Sequence, residues 1–356
     1  MVEWLAGNRI RGTTAERPAL GLPSGSVGGW VELARTTLGS GNANITVSSL
    51  ADKRYYMVLG DYRSSSAINA NGRLGNGSAD TGSNYAERQS DNGGTDSTLT
   101  SQSSAPQFGT LAGNIGFGVE YITNLSGKEK LGISHSVEQN TAGAGNAPNR
   151  NEMTWKWVNT SNPLDVVERR TSVNTYNANS EVVVLGWDPA DTHTTNFWEE
   201  LASVELGSAG DLLDSGVFAA KKYLWIQTYA IASGVINQYM RVGTTTVDTG
   251  NNYSLRYNSN GGTDGTLTSF GSAVIADSDD TTDRFVNLFG INNSGNEKLF
   301  IGHNVNNTVG AANAALRGER VHKWANTSGQ ITKVEIRNTG AGSFDTGSIM
   351  KVWGSD

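Results

Sequence analysis

Apolar residues recur along the chain in short runs, separated by turn signals rich in Gly, Asn, Asp and Ser. The run Tyr55–Leu59 is apolar at every position, which is typical of a central strand covered on both faces. The run Leu131–Val137 alternates between apolar and small residues, so we expect its apolar positions to face a core and its small residues to face outward. No segment keeps a helical period over three turns. The pattern therefore predicts an all-β protein.

This pattern occurs twice in one chain. Residues 80–101 return as residues 248–269, with 15 of the 22 positions identical. A repeat of about 160 residues is too long for a solenoid unit, and it is long enough to enclose its own core. Each repeat contains about nine or ten predicted strands, which favours two tandem antiparallel β-sandwich modules with jelly-roll topology. The predicted boundaries are an extended N-terminal arm at 1–28, module 1 at 29–188, a linker at 189–197 and module 2 at 198–356.

The connecting segments outside the modules suggest how the chain is arranged. The linker is polar and short, so we expect it to keep the modules close while leaving some freedom of orientation. In the arm, two prolines exclude a helix and three apolar residues can serve as anchors: Trp4, Leu5 and Ile10. The arm is predicted either to be an unattached tail or to dock on a neighbouring subunit.

Composition narrows the possible functions. The formal net charge is −7, with 27 Lys and Arg against 34 Asp and Glu, and no basic stripe is visible, so a nucleic-acid partner is not expected. The absence of cysteine excludes disulfides, thiolate nucleophiles and cysteine-ligated metals. No stretch approaches the roughly 18 apolar residues of a membrane helix, and no secretory signal is visible, so membrane insertion is not expected.

The strongest local motif is the duplicated segment Asp80–Asp96 and Asp248–Asp264, which reads Asp-Thr-Gly-x-Asn-Tyr followed by Asn-Gly-Gly-Thr-Asp. Its four end carboxylates, Asp80, Asp96, Asp248 and Asp264, are candidate Ca²⁺ ligands, although the spacing matches no defined calcium loop. Alternatively, the Asp and Asn side chains cap backbone amides in two turns. The same segments also offer candidate ligand-binding side chains for a sugar: Tyr85, Arg88, Asn92, Tyr253, Arg256 and Asn260.

The chain offers little for catalysis. We find no paired carboxylates, nucleophile elbow or metal spacing in both modules. His135 and His303 are in phase with apolar neighbours, so we interpret them as core or near-core histidines rather than metal ligands. We therefore expect a protein without enzymatic activity and without a cofactor.

The chain resembles uncharacterised virion proteins of tailed phages and related viruses of marine prokaryotes in three places: residues 4–13, residues 53–56 and residues 352–356. The resemblance extends over most of the chain and carries over no functional residue. It implies a structural protein of the particle, such as a capsid decoration, a tail fibre or a spike. It also implies further copies of the chain and other virion proteins as partners, and a place on the virion surface or outside the cell.

Besides an enzyme that acts on polysaccharide, two other classes remain open from the residues. One is a lectin-like protein that binds host surface glycans with one site in each module. The other is a self-assembling filament or layer protein on a cell surface, in which the arm pairs with a neighbouring sheet edge.

Overall fold

The computed structural model describes residues 3–5, 8–11, 29–189, 191, 196–276, 281–308 and 310–356, with the backbone alone at 3–5, 8–11 and 106–110. Strands β1 (Glu3–Leu5) and β2 (Asn8–Arg11) form an antiparallel hairpin within the arm. The anchor side chains predicted there, Trp4, Leu5 and Ile10, lie outside the described residues. Among the described residues no helix occurs that is long and apolar enough to cross a membrane.

Module 1 consists of thirteen strands. They are β3 (Val31–Thr37), β4 (Asn44–Val47), β5 (Tyr55–Arg63), β6 (Ala67–Asn76), β7 (Ser78–Ala79), β8 (Tyr85–Asp91), β9 (Ser97–Gln102), β10 (Ala105–Ala112), β11 (Ile115–Thr123), β12 (Lys130–Glu138), β13 (Asn149–Trp157), β14 (Val166–Arg170) and β15 (Glu181–Trp187).

Module 2 repeats this plan, with twelve strands among the residues that the structure describes. They are β16 (Glu199–Glu205), β17 (Leu212–Asp214), β18 (Tyr223–Ala230), β19 (Gln238–Gly243), β20 (Tyr253–Ser259), β21 (Gly265–Phe270), β22 (Ala273–Val274), β23 (Arg284–Ile291), β24 (Lys298–Asn306), β25 (Leu316–Trp324), β26 (Lys333–Asn338) and β27 (Ile349–Ser355).

Each module is a two-layer antiparallel sandwich. Its large sheet has eight strands, in the order β3-β15-β5-β11-β12-β13-β8-β9 in module 1 and β16-β27-β18-β23-β24-β25-β20-β21 in module 2. The small sheet has the order β10-β6-β14-β4 in module 1, with β7 beside β6, and β17-β26-β19-β22 in module 2. The predicted fold class, two tandem jelly-roll-like sandwiches, is therefore confirmed.

The two large sheets also pack against each other. Strand β5 shows why its sequence is apolar throughout: Tyr56 and Val58 enter the core of module 1, whereas Met57 and Leu59 enter a second cluster shared with module 2. From module 2 this shared cluster receives a set of large residues that includes Trp198, Tyr223, Trp225, Phe289, Leu299, Ile301 and Trp353. The prediction that the linker leaves the modules some freedom of orientation is therefore wrong, because burying this apolar surface fixes one module on the other.

Strand β12 has the opposite orientation to the one predicted. Ser134 and Ser136 are buried inside module 1, whereas Leu131 and Ile133 are 54% and 50% exposed on the outer face of the large sheet. The cause is the neighbouring strand β13, whose Trp155 fills the interior above Gly132. A Cβ atom on Gly132 would lie 2.1 Å from the Trp155 ring. Small residues face the interior because the tryptophan already occupies it.

Candidate functional site

The Asp80 motif acts as a structural cap. Asp80 Oδ1 accepts the backbone N–H of Gly82 at 2.8 Å, and Oδ2 accepts the Asn84 amide at 2.9 Å and the Trp157 indole N–H at 2.7 Å. These donors hold the pKa of Asp80 below its usual value, against the effect of burial. Asp248 is held in the same way by Gly250, Asn252 and Trp324. Both oxygens of each carboxylate thus already accept hydrogen bonds, and the geometry matches the capping alternative.

The two tyrosines proposed as sugar contacts lie in the cores. Tyr85 and Tyr253 are each 1% exposed, and their hydroxyls donate to the backbone carbonyls of Leu74 and Val242. Their rings are therefore not accessible to a ligand from solvent. The prediction of one sugar site per module built on these residues does not fit this placement.

The remaining motif residues are divided between turns and surfaces. Asn92 and Asn260 have φ values of 50° and 55° and begin tight hairpin turns. Their side-chain oxygens accept backbone N–H groups from Arg150 and Arg317. The positive φ explains why Asn followed by Gly occurs in both copies.

The charged residues of the two motifs have different surroundings in the two modules. Arg88 and Asp96 form an exposed pair at 3.5 Å on the surface of module 1. Their counterparts Arg256 and Asp264 instead contact module 1, where Arg256 donates to the Pro148 carbonyl at 3.0 Å and Asp264 accepts from Arg150 at 2.7 Å.

A half-buried polar centre lies between the modules. The rings of His135 and His303 meet edge to face, with centroids 4.3 Å apart. Beside them Arg150 donates to Glu152 at 2.5 Å, to Glu319 at 2.8 Å and to Asp264 at 2.7 Å. Burial raises the pKa of Glu152 to about 7 and lowers the pKa values of His135 and His303 to about 4 and about 3. One guanidinium thus joins acids from both modules, next to two neutral histidines.

This centre also contains one group of residue types that bind metals, in the part of the chain that the structure describes. Ligand atoms of His135, Glu152 and His303 lie within 4.8 Å of one another. However, the Arg150 guanidinium already donates to Glu152, and its positive charge also acts on both histidines. Because a second positive charge there would be repelled, the arrangement suits an ion-pair network better than a metal site.

The histidine pair should make folding stability depend on pH. Both folded-state pKa values lie below the unfolded value of roughly 6.5, so protons bind preferentially to the unfolded chain and stability is lost as the pH falls from about 6.5 towards 4. We expect His303→Gln to flatten this dependence by about 2 kcal/mol between pH 7 and pH 5, measured by urea unfolding. If the free energy of unfolding depends on pH in the same way in wild type and variant, the expectation is contradicted. Glu152 acts in the opposite direction, but it is common to both proteins.

An open groove lies on the outer face of the large sheet of module 1. It has a volume of about 750 Å³, and its floor contains the exposed side chains of Tyr121, Leu131 and Ile133. At one end Tyr55 stacks on Trp187 with centroids 5.3 Å apart, and Trp30 lies beside this pair, 6.4 Å from Trp187. Its polar border includes Arg88, Thr98, Thr100, Thr154 and Lys156.

Module 2 also has apolar residues at the positions that correspond to the groove floor, but there they are covered by module 1. Leu299 and Ile301, the counterparts of Leu131 and Ile133, are 0% and 4% exposed and belong to the cluster between the modules. The groove is therefore specific to module 1 because of how the modules pack, since the outer-face residues Leu131 and Ile133 have identical counterparts in module 2. Sequence reasoning missed it, because it assigned these apolar residues to a core.

No protein-family model matches the chain. No curated protein matches it at a significant level. Among solved structures it is similar to domains LG4-5 of the mouse laminin alpha1 chain, with 12% identity, coverage of 91% of this chain and 89% of that chain, and a TM-score of 0.22. A likeness at this level supports no conclusion about fold or ligand, and the fold described above rests on the strand order.

Proposed function

We propose that this chain is a non-enzymatic structural protein that works by contact between sheet faces, as a subunit of a larger assembly. The observation that carries the proposal is the open apolar floor of the groove in module 1. Contiguous exposed apolar surface marks an interaction site in most soluble proteins. The contact between the modules is an example of the same chemistry. There Leu299 and Ile301, the counterparts of Leu131 and Ile133, are buried against module 1.

The setting of the assembly follows from the sequence resemblance alone. It suggests a virus particle, in which the protein would serve as a capsid decoration, fibre or spike. A self-assembling layer or filament on a cell surface would use the same contact. Electron microscopy of native material separates these settings, because a particle, a filament and a sheet differ in shape.

A groove variant tests whether this surface mediates assembly. We expect Leu131→Gln with Ile133→Gln to remove the oligomers that wild type forms at high concentration, measured by sedimentation velocity. The matched control is Val173→Gln with Val217→Gln, since both valines are exposed apolar residues outside the groove. A wild type that stays monomeric at every concentration, or a groove variant that still assembles, would contradict the proposal.

Glycan binding is the second candidate, and the stacked pair of Tyr55 and Trp187 favours it. Flat aromatic faces beside hydroxyl and guanidinium groups are suited to hold a sugar ring. In this case Trp187→Ala would abolish binding on a glycan array. Oligomer formation by the same variant would be unaffected if the sugar were the natural occupant.

A further inference from the structure

The duplicated sheet face is used unequally by the two modules. The cluster between the modules takes Phe117 and Val137 from module 1, and both are 1% exposed. Their counterparts in module 2, Phe285 and Val305, are 40% and 41% exposed. Conversely, Leu131 and Ile133 are exposed in the groove of module 1, whereas their module 2 counterparts are buried. Apart from a central stripe that both modules bury, with Met57 and Leu185 in module 1 and Trp225 and Trp353 in module 2, each module thus contributes one half of the face to the contact and leaves the other half free.

The two free halves are the homologues of two surfaces that already bind each other. The free half of module 1 is the groove floor, formed by Tyr121, Leu131 and Ile133. The free half of module 2, which we call the module 2 patch, consists of Tyr229, Phe285 and Val305. We propose that the groove of one copy receives the module 2 patch of a second copy, so that chains associate head to tail. This inference rests on the proposed function and names its partner.

The groove is also continuous with the established interface. Trp30 lines the groove and belongs at the same time to the cluster between the modules. A second copy seated in the groove therefore extends a surface that the fold already buries. A contact between two different patches of one chain leaves both patches free at the ends, so it produces open chains or rings.

The charged residues at the two free halves are also complementary, in the same arrangement as the charged residues in the contact between the modules. Within the chain, Arg150 of module 1 binds Asp264 of module 2 at 2.7 Å. The counterparts of this pair are Arg317 and Asp96, whose side chains are 62% and 53% exposed. Arg317 also lies 3.3 Å from Glu319 of its own chain. A head-to-tail contact brings Arg317 of one copy towards Asp96 of the next.

The surface next to the module 2 patch is more polar than the surface it corresponds to in module 1. Gln227 and Asn287 stand at the positions that Leu59 and Val119 occupy in module 1, and they are joined by a hydrogen bond of 3.1 Å. The contact between chains therefore buries less apolar surface than the contact between modules. We expect an association that depends on concentration, whereas the module contact is permanent.

Crosslinking between two single-cysteine proteins tests the pairing, and the chain has no cysteine of its own. Full-length Leu131→Cys is mixed with full-length Val305→Cys in the presence of a short bis-maleimide. The proposal predicts a crosslinked dimer in the mixture and at most a trace in either protein alone. Dimers from Leu131→Cys alone would mean that grooves pair with grooves, and would overturn the head-to-tail arrangement while leaving the proposed function intact.

Three further outcomes would also overturn the inference. An internal crosslink in a monomer carrying both cysteines would show that the two free halves close on each other. If deleting residues 1–28 abolishes assembly while both free halves are unchanged, the arm of another copy and not its module 2 patch occupies the groove. Assembly seen by sedimentation without any crosslink would place the contact elsewhere, whereas the absence of assembly would reject the proposed function itself.

A charge exchange provides the second measurement. We expect Arg317→Glu to weaken association roughly tenfold, because it sets two acids against each other across the contact. Adding Asp96→Arg should restore association, since the pair is then reversed. Both residues are exposed, so the variants should fold. If the second change brings no recovery, the predicted contact is wrong.

Discussion

Replacing Arg169 by Ile is expected to lower the free energy of unfolding by about 3–5 kcal/mol, because it leaves the carboxylate of Glu120 buried without its counter-charge. The guanidinium of Arg169 donates to Glu120 inside the core of module 1, and both side chains are almost completely buried. Glu120 also accepts hydrogen bonds from Ser134 at 2.8 Å and from the Trp155 indole at 2.7 Å. Glu120→Leu alone should have a similar effect, since it leaves the arginine unpaired.

The double variant Glu120→Leu with Arg169→Ile should recover most of this loss, to within about 2 kcal/mol of wild type. Module 2 is the natural control, since Leu288 and Ile336 stand at the corresponding positions and are buried there. In the double variant the Trp155 indole keeps the Ser134 hydroxyl as acceptor at 3.1 Å. Urea unfolding of the four proteins gives the coupling energy directly. Additive losses in the double variant would show that the ion pair contributes nothing beyond its separate members.

Arg150→Met is expected to have an effect of similar size, about 3–5 kcal/mol at pH 7, because it removes the positive charge shared by three acids between the modules. Glu152, Asp264 and Glu319 then face one another without compensation. The loss should be smaller at pH 5. Burial already raises the pKa of Glu152 to about 7, so that carboxyl is largely protonated in the folded state at the lower pH.

Arg317→Met is the matched control for this prediction. Arg317 is the counterpart of Arg150, but it is 62% exposed and pairs only loosely with Glu319 at 3.3 Å. Its removal should change stability by less than about 0.5 kcal/mol. Equal losses for the two variants, measured by urea unfolding at pH 7, would show that the centre between the modules does not hold them together.

The sequence was sufficient to predict the duplication, the all-β class and most strands, because a period of two and the turn residues are local properties. The apolar run Tyr55–Leu59 predicts a strand that is covered on both faces, and its residues do enter two different clusters. The alternation in β12 showed which residues share a face. It could not show which face is inside, since that depends on how Trp155 from the next strand fills the interior over Gly132.

The groove and the contact between modules could not be predicted in the same way. Leu131 and Leu299 both follow a Glu-Lys pair and both stand two residues before an isoleucine, yet one is exposed and the other is buried. The packing of the modules places them differently. One signal was available: module 2 carries Trp225, Phe289 and Trp353 where module 1 has Met57, Tyr121 and Leu185. Such large apolar residues on an outer face indicate that something covers it.

Sedimentation velocity of the full-length protein over a range of concentrations tests the central claim, which is that the free half of the sheet face in module 1 exists for contact with another copy. The account predicts oligomers that grow with concentration in wild type and in the Val173→Gln, Val217→Gln control. The variant Leu131→Gln with Ile133→Gln should remain monomeric at every concentration. A groove variant that assembles as wild type does would contradict it.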